Sequence, residues 1–306
     1  MNGNRCIPVR RLGLKMHPLH EPAKEALRRF RKAASDHRIE IANLDENPQG
    51  IINPTCQAVA SIGGDGTLLS AVRCAYPSDI PVWGINVGGL GYLTTSGTDE
   101  IERGVECIAK GEYRVEKRTM IEAVITGTSG RETRLVALND IVVHRMVPGG
   151  GLMVLDAELD GRFLATYESD GLIVSTPTGS TGYNISAGGS VLSPTVPAFI
   201  ITPICAHSFS ARSLVVDDSS VLVVRPRLKM PGEIAFATAD GQDVAELVDC
   251  PLRSGQGGAD SCQVVIRRAE RSAGLVRFDE VFFSDVLRDK LGWAEGASGN
   301  RKKSSD

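Results

Sequence analysis

The chain has no paired cysteines, no dominant charge and no apolar run long enough to cross a bilayer. Its seven cysteines, at 6, 56, 74, 107, 205, 250 and 262, are odd in number and never form a CxxC pair. No Cys/His cluster has zinc spacing, so the thiols read as small packed hydrophobes rather than as a disulfide framework or a zinc module. A formal net charge of −3 gives no sign of a nucleic-acid groove or a basic membrane face. The opening "MNGNRCIPVRRLG" lacks the long apolar core of a signal peptide. The best apolar stretch, "PAFIITPICA" at 197–206, contains two prolines and is too short to span a membrane. A soluble cytoplasmic protein, with neither nucleic acid nor membrane as partner, is the expectation. The familiar nucleotide and hydrolase signatures are missing as well. No GxxxxGK[ST] occurs, no GxGxxG follows the early strands, and His207-Ser208 has no GxSxG elbow beside it.

What the sequence does contain is a change of texture. With 306 residues and 42% hydrophobic content the chain is long enough for two domains with real cores. Up to residue 117 strands and helices alternate: a strand over 7–16, a helix over 21–37 with Pro22 in its first turn, a strand ending at Ile62, a glycine-rich turn, and a helix after Thr67. Another buried strand runs into a glycine-rich loop over 80–95, and a helix over 99–113 ends near Gly111. Such alternation argues for a parallel sheet with helical cover. From 118 to 270 the pattern becomes short strands and tight turns, with hairpins expected at Asp160-Gly161, Asp217-Asp218 and Asp240-Gly241. Helical spacing returns at 279–293, so the segment 271–295 is expected to pack back on the first domain, and 296–306 reads as a disordered tail.

Three clusters carry candidate chemistry. In "ASIGGDGTLLS" (60–70), Gly63, Gly64 and Gly66 occupy a strand-to-helix turn, which aims amide groups and a helix N-terminus at one point, an arrangement that favours phosphate. Asp65 would repel phosphate, so it is either a helix cap or a group with a separate task. In "VALNDIVVHR" (136–145), Asn139 and Asp140 stand at the entrance to a buried strand, where a turn, ribose recognition and adenine recognition all remain open. In "SDGLIVSTPTGSTGYNISAGG" (169–189), an apolar strand runs into a block of hydroxyls and glycines without lysine or arginine. Uncharged donors in that density suit a polar, hydroxyl-rich ligand, and Tyr183 offers an aromatic face to a base.

Together and in this order, with "GINVGGLGYLT" (84–94), "HSFSARSLVV" (207–216) and "DGQ" (240–242), these segments resemble the NAD kinase family over roughly residues 55 to 295. "GGDGT" is shared with lipid kinases and phosphofructokinase-like enzymes; the 169–189 block is the specific part. The resemblance implies a phosphofructokinase-like α/β N-terminal domain with a parallel sheet, a mostly β, sandwich-like C-terminal domain, and catalysis between them. It implies transfer of a phosphoryl group from ATP, or from polyphosphate, to the 2′-hydroxyl of the adenosine ribose of NAD, with Mg²⁺ or another divalent metal accompanying the ATP. By the same resemblance Asp65 is the catalytic base, and Gly63, Gly64, Gly66 and Thr67 hold phosphate. Gly66, Tyr92, Asn139, Asp140, Asp170, Thr181, Gly182, Tyr183, Ser186 and Gln242 join Asp65 in the NAD site, and no residue is assigned to a metal. A homodimer or homotetramer is implied too. Three positions depart from the family pattern: Gly182 where alanine is commoner, Asp140 in place of a glutamate, and Glu168 where some members carry a basic or amide residue. The competing readings are a lipid or sugar kinase that shares only the "GGDGT" turn, and a silent NAD(P)-binding regulator.

Overall fold

The computed structural model describes residues 6–16, 21–45, 52, 55–88, 91–94, 96–126, 132–145, 152–208, 210–228, 233–247, 250, 262–280 and 282–291. The expected tail at 296–306 and the last residues of the expected C-terminal helix lie outside them. In the first part of the chain the strands are β1 (Arg11–Met16), β2 (Glu40–Asn43), β3 (Ala58–Ile62), β4 (Val82–Ile85) and β5 (Arg114–Arg118). Helices α1 (Glu21–Asp36), α2 (Asp65–Ala75) and α3 (Ile101–Lys110) connect them. Next come β6 (Ile121–Thr126), β7 (Glu132–Ala137), β8 (Asp140–Arg145), β9 (Met153–Leu159), β10 (Arg162–Ser169) and β11 (Gly171–Ser175), followed by a short helix α4 (Tyr183–Ser186). The remainder is β12 (Ala198–Ile204), β13 (Leu214–Asp217), β14 (Leu222–Arg227), β15 (Ala235–Ala239), β16 (Asp243–Leu247), β17 (Gln263–Arg268), β18 (Ala273–Arg277) and α5 (Phe283–Leu291).

Among the described residues these strands form three six-stranded sheets. The first has the order β2-β1-β3-β4-β18-β5; its first five strands are parallel and β5 is antiparallel to β18. The strand order reverses between β1 and β3. A reversal of this kind opens a crevice at the carboxyl ends of the strands, where ligands of α/β proteins bind. Helix α1 buries Ala23, Ala26, Phe30, Ala33 and Ala34, and α3 buries Ile101, Val105, Ile108 and Ala109, a 3.6-residue spacing that seats both on the same face. Helix α2 covers the opposite face with Leu68, Leu69, Ala71, Val72 and Ala75. Met120, Leu138 and Ala269, from the start and end of the β-rich region, join that second cluster, so α2 is packed between the parallel sheet and the β-rich part.

The other two sheets, ordered β10-β9-β14-β17-β6-β7 and β13-β12-β11-β8-β15-β16, are antiparallel throughout. They share one core in which inward residues alternate along each strand, as in Ile121, Ala123 and Ile125 or Ala235, Ala237 and Ala239. Two of the three expected hairpins form. At Asp160-Gly161 (φ 51° and 75°) and Asp240-Gly241 (φ 52° and 63°) both central residues are left-handed, the turn whose twist matches that of paired strands. The expected hairpin at Asp217-Asp218 does not: β13 pairs with β12 in the third sheet, whereas β14 pairs with β9 and β17 in the second. The short strand β2, not expected from the sequence, is a further addition.

Candidate active site

The "GGDGT" turn stands at the β1/β3 crevice. Ile62 ends β3, and Asp65 begins α2 with Gly64 as its N-cap, which makes no side-chain cap hydrogen bond. Asp65 does not cap its own helix either. Its Oδ2 accepts the amide hydrogen of Tyr92 (2.8 Å), and its Oδ1 accepts those of Leu93 (3.3 Å) and Thr94 (3.2 Å) and the Thr94 hydroxyl (3.1 Å). The cap reading is therefore replaced by a carboxylate seated in the loop that follows β4. That loop can come so close because residue 91 is glycine: a Cβ there would strike the Asp65 carboxylate. At Gly63 a Cβ would likewise strike the Thr67 side chain. Asn86 Nδ2 donates to Thr94 Oγ1 (2.7 Å), and the buried Arg277 of β18 donates to Leu93 O (3.3 Å) while its Nε binds Glu116 (2.8 Å). Asn86, Gly91, Thr94 and Arg277 were not assigned from sequence; the glycine run over 84–94 was the available signal for the first three. Gly91→Ala is expected to lower turnover by about tenfold or more through displacement of Asp65, with thermal stability nearly kept. Steady-state kinetics beside a melting curve will check it.

One cavity adjoins this turn and a second adjoins the loop that holds Asp65. The larger, about 1160 Å³, is lined by Gly63, Gly64, Asp65, Gly66, Thr67 and Gln242, by Leu14, Lys15 and Met16 at the end of β1, and by Ala23, Leu27 and Arg31 of α1. The smaller, about 220 Å³, brings together Tyr92, Thr178 and Thr181 with Arg118, Arg277 and Phe282. Tyr92 stands one residue before Leu93 on the loop that holds Asp65; burial and then the Asp65 charge raise its phenol above the ordinary value.

The 169–189 block does two jobs. Ser175, Thr176, Ser180 and Asn184 are fully buried and bonded within the fold. Thr176 Oγ1 donates to Leu138 O (2.6 Å), Ser180 Oγ to Pro177 O (2.6 Å), and Asn184 Nδ2 to Ser190 O (2.9 Å). Much of the hydroxyl density read from sequence as ligand contact is thus internal scaffolding. Thr181 and Gly182 are half-buried, and Tyr183 and Ser186 face outward on α4. Asp170 is exposed just before β11, at the opposite end of that strand from Ser175. Asp170, Tyr183 and Ser186 line neither cavity. At about 3.3 Å per residue, β11 holds Asp170 and Ser175 roughly 16 Å apart.

Asn139 and Asp140 lie beside that block. The Asn139 carbonyl accepts from Thr176 N (2.8 Å), and a Cβ on Gly179 would strike the Asn139 backbone. Asn139 Oδ1 is buried without a hydrogen-bond partner, an acceptor left for a ligand donor. Asp240, read from sequence as part of a hairpin turn and of the "DGQ" segment but not as a partner of Asn139 a hundred residues away, accepts the amides of Leu138 (3.1 Å), Asn139 (2.7 Å) and Asp140 (3.3 Å) with a fully buried carboxylate. Burial raises the carboxyls of both Asp140 and Asp240. The three amides favour charge on Asp240, so the extra proton rests on Asp140, whose carboxyl is pushed up to about 7 by burial and then by Asp240. Between an unfolded value near 3.8 and a folded value of about 7 the native state holds a proton that the unfolded chain has lost, so stability falls as pH rises through that window. Asp140→Asn should flatten this slope, measurable by urea denaturation between about pH 4 and 7.

No three Asp, Glu, His or Cys side chains gather as a metal site among the described residues. A single carboxylate at Asp65 fits a divalent cation that arrives on nucleotide phosphates, since such a cation needs only one or two protein carboxylates. No helix among the described residues is long and apolar enough to cross a membrane.

The profile of the ATP-NAD kinase N-terminal domain matches residues 16–113, and that of the C-terminal domain matches residues 138–249. An NAD kinase of Sulfurimonas denitrificans is 33% identical over 94% of this chain and 98% of its own length. An NAD kinase of Carboxydothermus hydrogenoformans is 38% identical over 83% of this chain and 84% of its own. The chain belongs to the NAD kinase family. As NAD kinase folds go, it superposes on the crystal structure of yeast NADH kinase complexed with NADH with a TM-score of 0.83, at 22% identity over 96% of this chain and 90% of that one. It superposes on an NAD kinase from Archaeoglobus fulgidus in complex with ATP with a TM-score of 0.69, at 23% identity over 92% and 97%. At those identities the likeness speaks for the two-domain fold: an α/β domain built on the parallel sheet and a domain of antiparallel sheets.

Proposed function

We propose that this chain phosphorylates NAD, transferring the γ-phosphoryl group of ATP to the 2′-hydroxyl of the adenosine ribose. The observation that carries the reading is the seat of Asp65: one carboxylate, fixed by four donors of the 92–94 loop, at the mouth of the larger cavity and beside the loop that lines the smaller one. Asp65 takes the proton from the 2′-hydroxyl, the oxygen bonds to the γ-phosphorus, and the bridging bond to the β-phosphate breaks to release ADP. Gly63, Gly64, Gly66 and Thr67 at the start of α2 form the donor-phosphate site, the amides of Gly64 and Gly66 facing the phosphate while those of Gly63 and Thr67 close the turn on Ile85 O and Gly64 O. Asp65 is the carboxylate available to a divalent cation carried on that phosphate. When bound, such a cation offsets negative charge on the moving group. Leu14, Met16, Ala23 and Leu27 give the larger cavity an apolar wall, which supports a donor with a nucleoside over a bare polyphosphate chain.

On the acceptor side Tyr92, Asn139, Asp140, Thr181, Gly182, Tyr183 and Ser186 contact the NAD, and Asp170 reaches its nicotinamide end. The orphan acceptor Asn139 Oδ1 supports a base or ribose donor there. The same reading makes the protein cytoplasmic and a homodimer or homotetramer. Exposed Leu214 and Val215 on edge strand β13 and Val244 on edge strand β16 support assembly through the β-rich part. The test is NADP formation from NAD, ATP and Mg²⁺, with polyphosphate and NADH substituted in turn. Binding of NAD without product under every combination would overturn the reading in favour of a silent binder.

A further inference from the structure

Asp65 begins α2, which follows β3 of the first sheet, whereas the Asn139-Asp140 pair opens β8 of the third, and turnover requires the base within hydrogen-bond reach of a hydroxyl held from the other side. A polar brace runs between α2 and the β15–β16 turn. Gln242 Nε2 donates to Gly66 O (2.8 Å), in the first turn of α2 and next to Asp65. Arg73, eight residues after Asp65 and so about two turns along the same helix, donates from Nη2 to Gln242 Oε1 (2.8 Å). Its Nε meets Asp243 Oδ2 at 2.9 Å, and its Nη1 lies 3.9 Å from Asp240 Oδ2. The helix is therefore gripped at both ends by one turn. That turn is itself stiff: Asp240 and Gly241 are left-handed, and Gln242 N closes it on Ala239 O (2.9 Å). Asp240 then carries the connection onward, since its carboxylate holds the amides of Leu138, Asn139 and Asp140, and its own amide donates to Asp140 O (3.0 Å).

We propose that Arg73 and Gln242 are positioning residues that set the distance between the Asp65 carboxylate and the acceptor ribose by bracing the catalytic turn against the β15–β16 turn. This rests on the reading of the protein as an NAD kinase with Asp65 as base. It gives Gln242 a task other than the NAD contact implied by family resemblance, because both ends of its amide are already engaged by protein. A displacement of about 1 Å at the reacting atoms lowers a rate by about a hundredfold, so loosening the brace reduces kcat without removing any group that touches substrate.

Gln242→Glu is the sharpest variant. A carboxylate there still accepts from Arg73 but cannot donate to Gly66 O, and the exposed position leaves the core untouched. The expected result is kcat lower by about tenfold or more, KM for NAD within about twofold, and an unchanged melting temperature. Arg73→Lys, which keeps charge but cannot fork between Gln242 and Asp243, should behave alike, and Arg73→Ala should regain rate with added guanidinium ion. A raised KM with kcat intact in Gln242→Glu would mean that Gln242 contacts NAD and would overturn the inference. Wild-type kcat in both Gln242→Glu and Arg73→Lys would overturn it as well. Amide hydrogen exchange over Gly66–Leu69 in the same variants reports the brace without reference to turnover: faster exchange supports it, and unchanged exchange overturns it. Failure of the wild type itself to form NADP would instead count against the functional reading.

Discussion

An Asp65→Asn protein folds, binds NAD, and forms NADP at least about a hundredfold more slowly than wild type, as expected for removal of a general base. The geometry also predicts how the variant rearranges. Oδ1 accepts three hydrogen bonds and Oδ2 one, so the amide that replaces the carboxylate keeps its oxygen toward Leu93 and Thr94 and turns its NH2 toward the Tyr92 amide. Two donors then face each other at Tyr92. The consequence is local loosening of the loop around Tyr92, visible as faster amide exchange at that residue, beside a nearly normal melting curve. Calorimetry with NAD and single-turnover kinetics separate binding from chemistry. Turnover within a few fold of wild type would remove Asp65 from the proton transfer.

Asp240→Ala has the largest expected effect on stability. The carboxylate is fully buried and accepts three successive backbone amides at the entrance to β8. Each buried donor left without a partner costs about 1–3 kcal/mol, so the loss is on the order of 3 kcal/mol or more, even after relief of the like charge facing Asp140. Asp240→Asn keeps an oxygen for Asn139 and Asp140 and disturbs only Leu138 and the Arg73 ion pair, so its loss is smaller. Urea unfolding of the two variants at pH 7 orders them. Equal stability of Asp240→Ala and wild type would mean that water or a neighbour replaces the carboxylate.

What could be read in the sequence was local. The strand, glycine turn and helix of 58–75 follow from apolar residues that stop at Ile62 and resume at Leu68. The Asp160-Gly161 and Asp240-Gly241 turns follow from the two residue types that tolerate left-handed backbone best. The same local logic misplaced β13 and β14. "SLVVDDSSVLVV" has the strand–turn–strand pattern of a hairpin, yet the partners of each strand are chosen by distant segments, β12 on one side and β9 with β17 on the other. The site shows the same boundary. Asp65 was found because it is an odd residue in its turn. Its donors lie 27 to 29 residues on, and those of Asp240 lie 100 to 102 residues back. No spacing rule joins such pairs. Hydroxyl density in 169–189 likewise could not distinguish donors turned to a ligand from donors turned to their own backbone.

One consequence follows from the place of β18. It lies between β4 and β5 in the first sheet, parallel to β4, although about 190 residues separate it from β4 along the chain. During synthesis from the N-terminus, the edge of β4 therefore stays open until residue 277 has left the ribosome, and so does the Arg277 support beneath the Asp65 loop. The antiparallel sheets, whose strands all lie between residues 121 and 268, have been translated by then. Vectorial folding thus completes the α/β part last, and a nascent chain halted before β18 carries the whole "GGDGT" turn without the strand that closes its sheet.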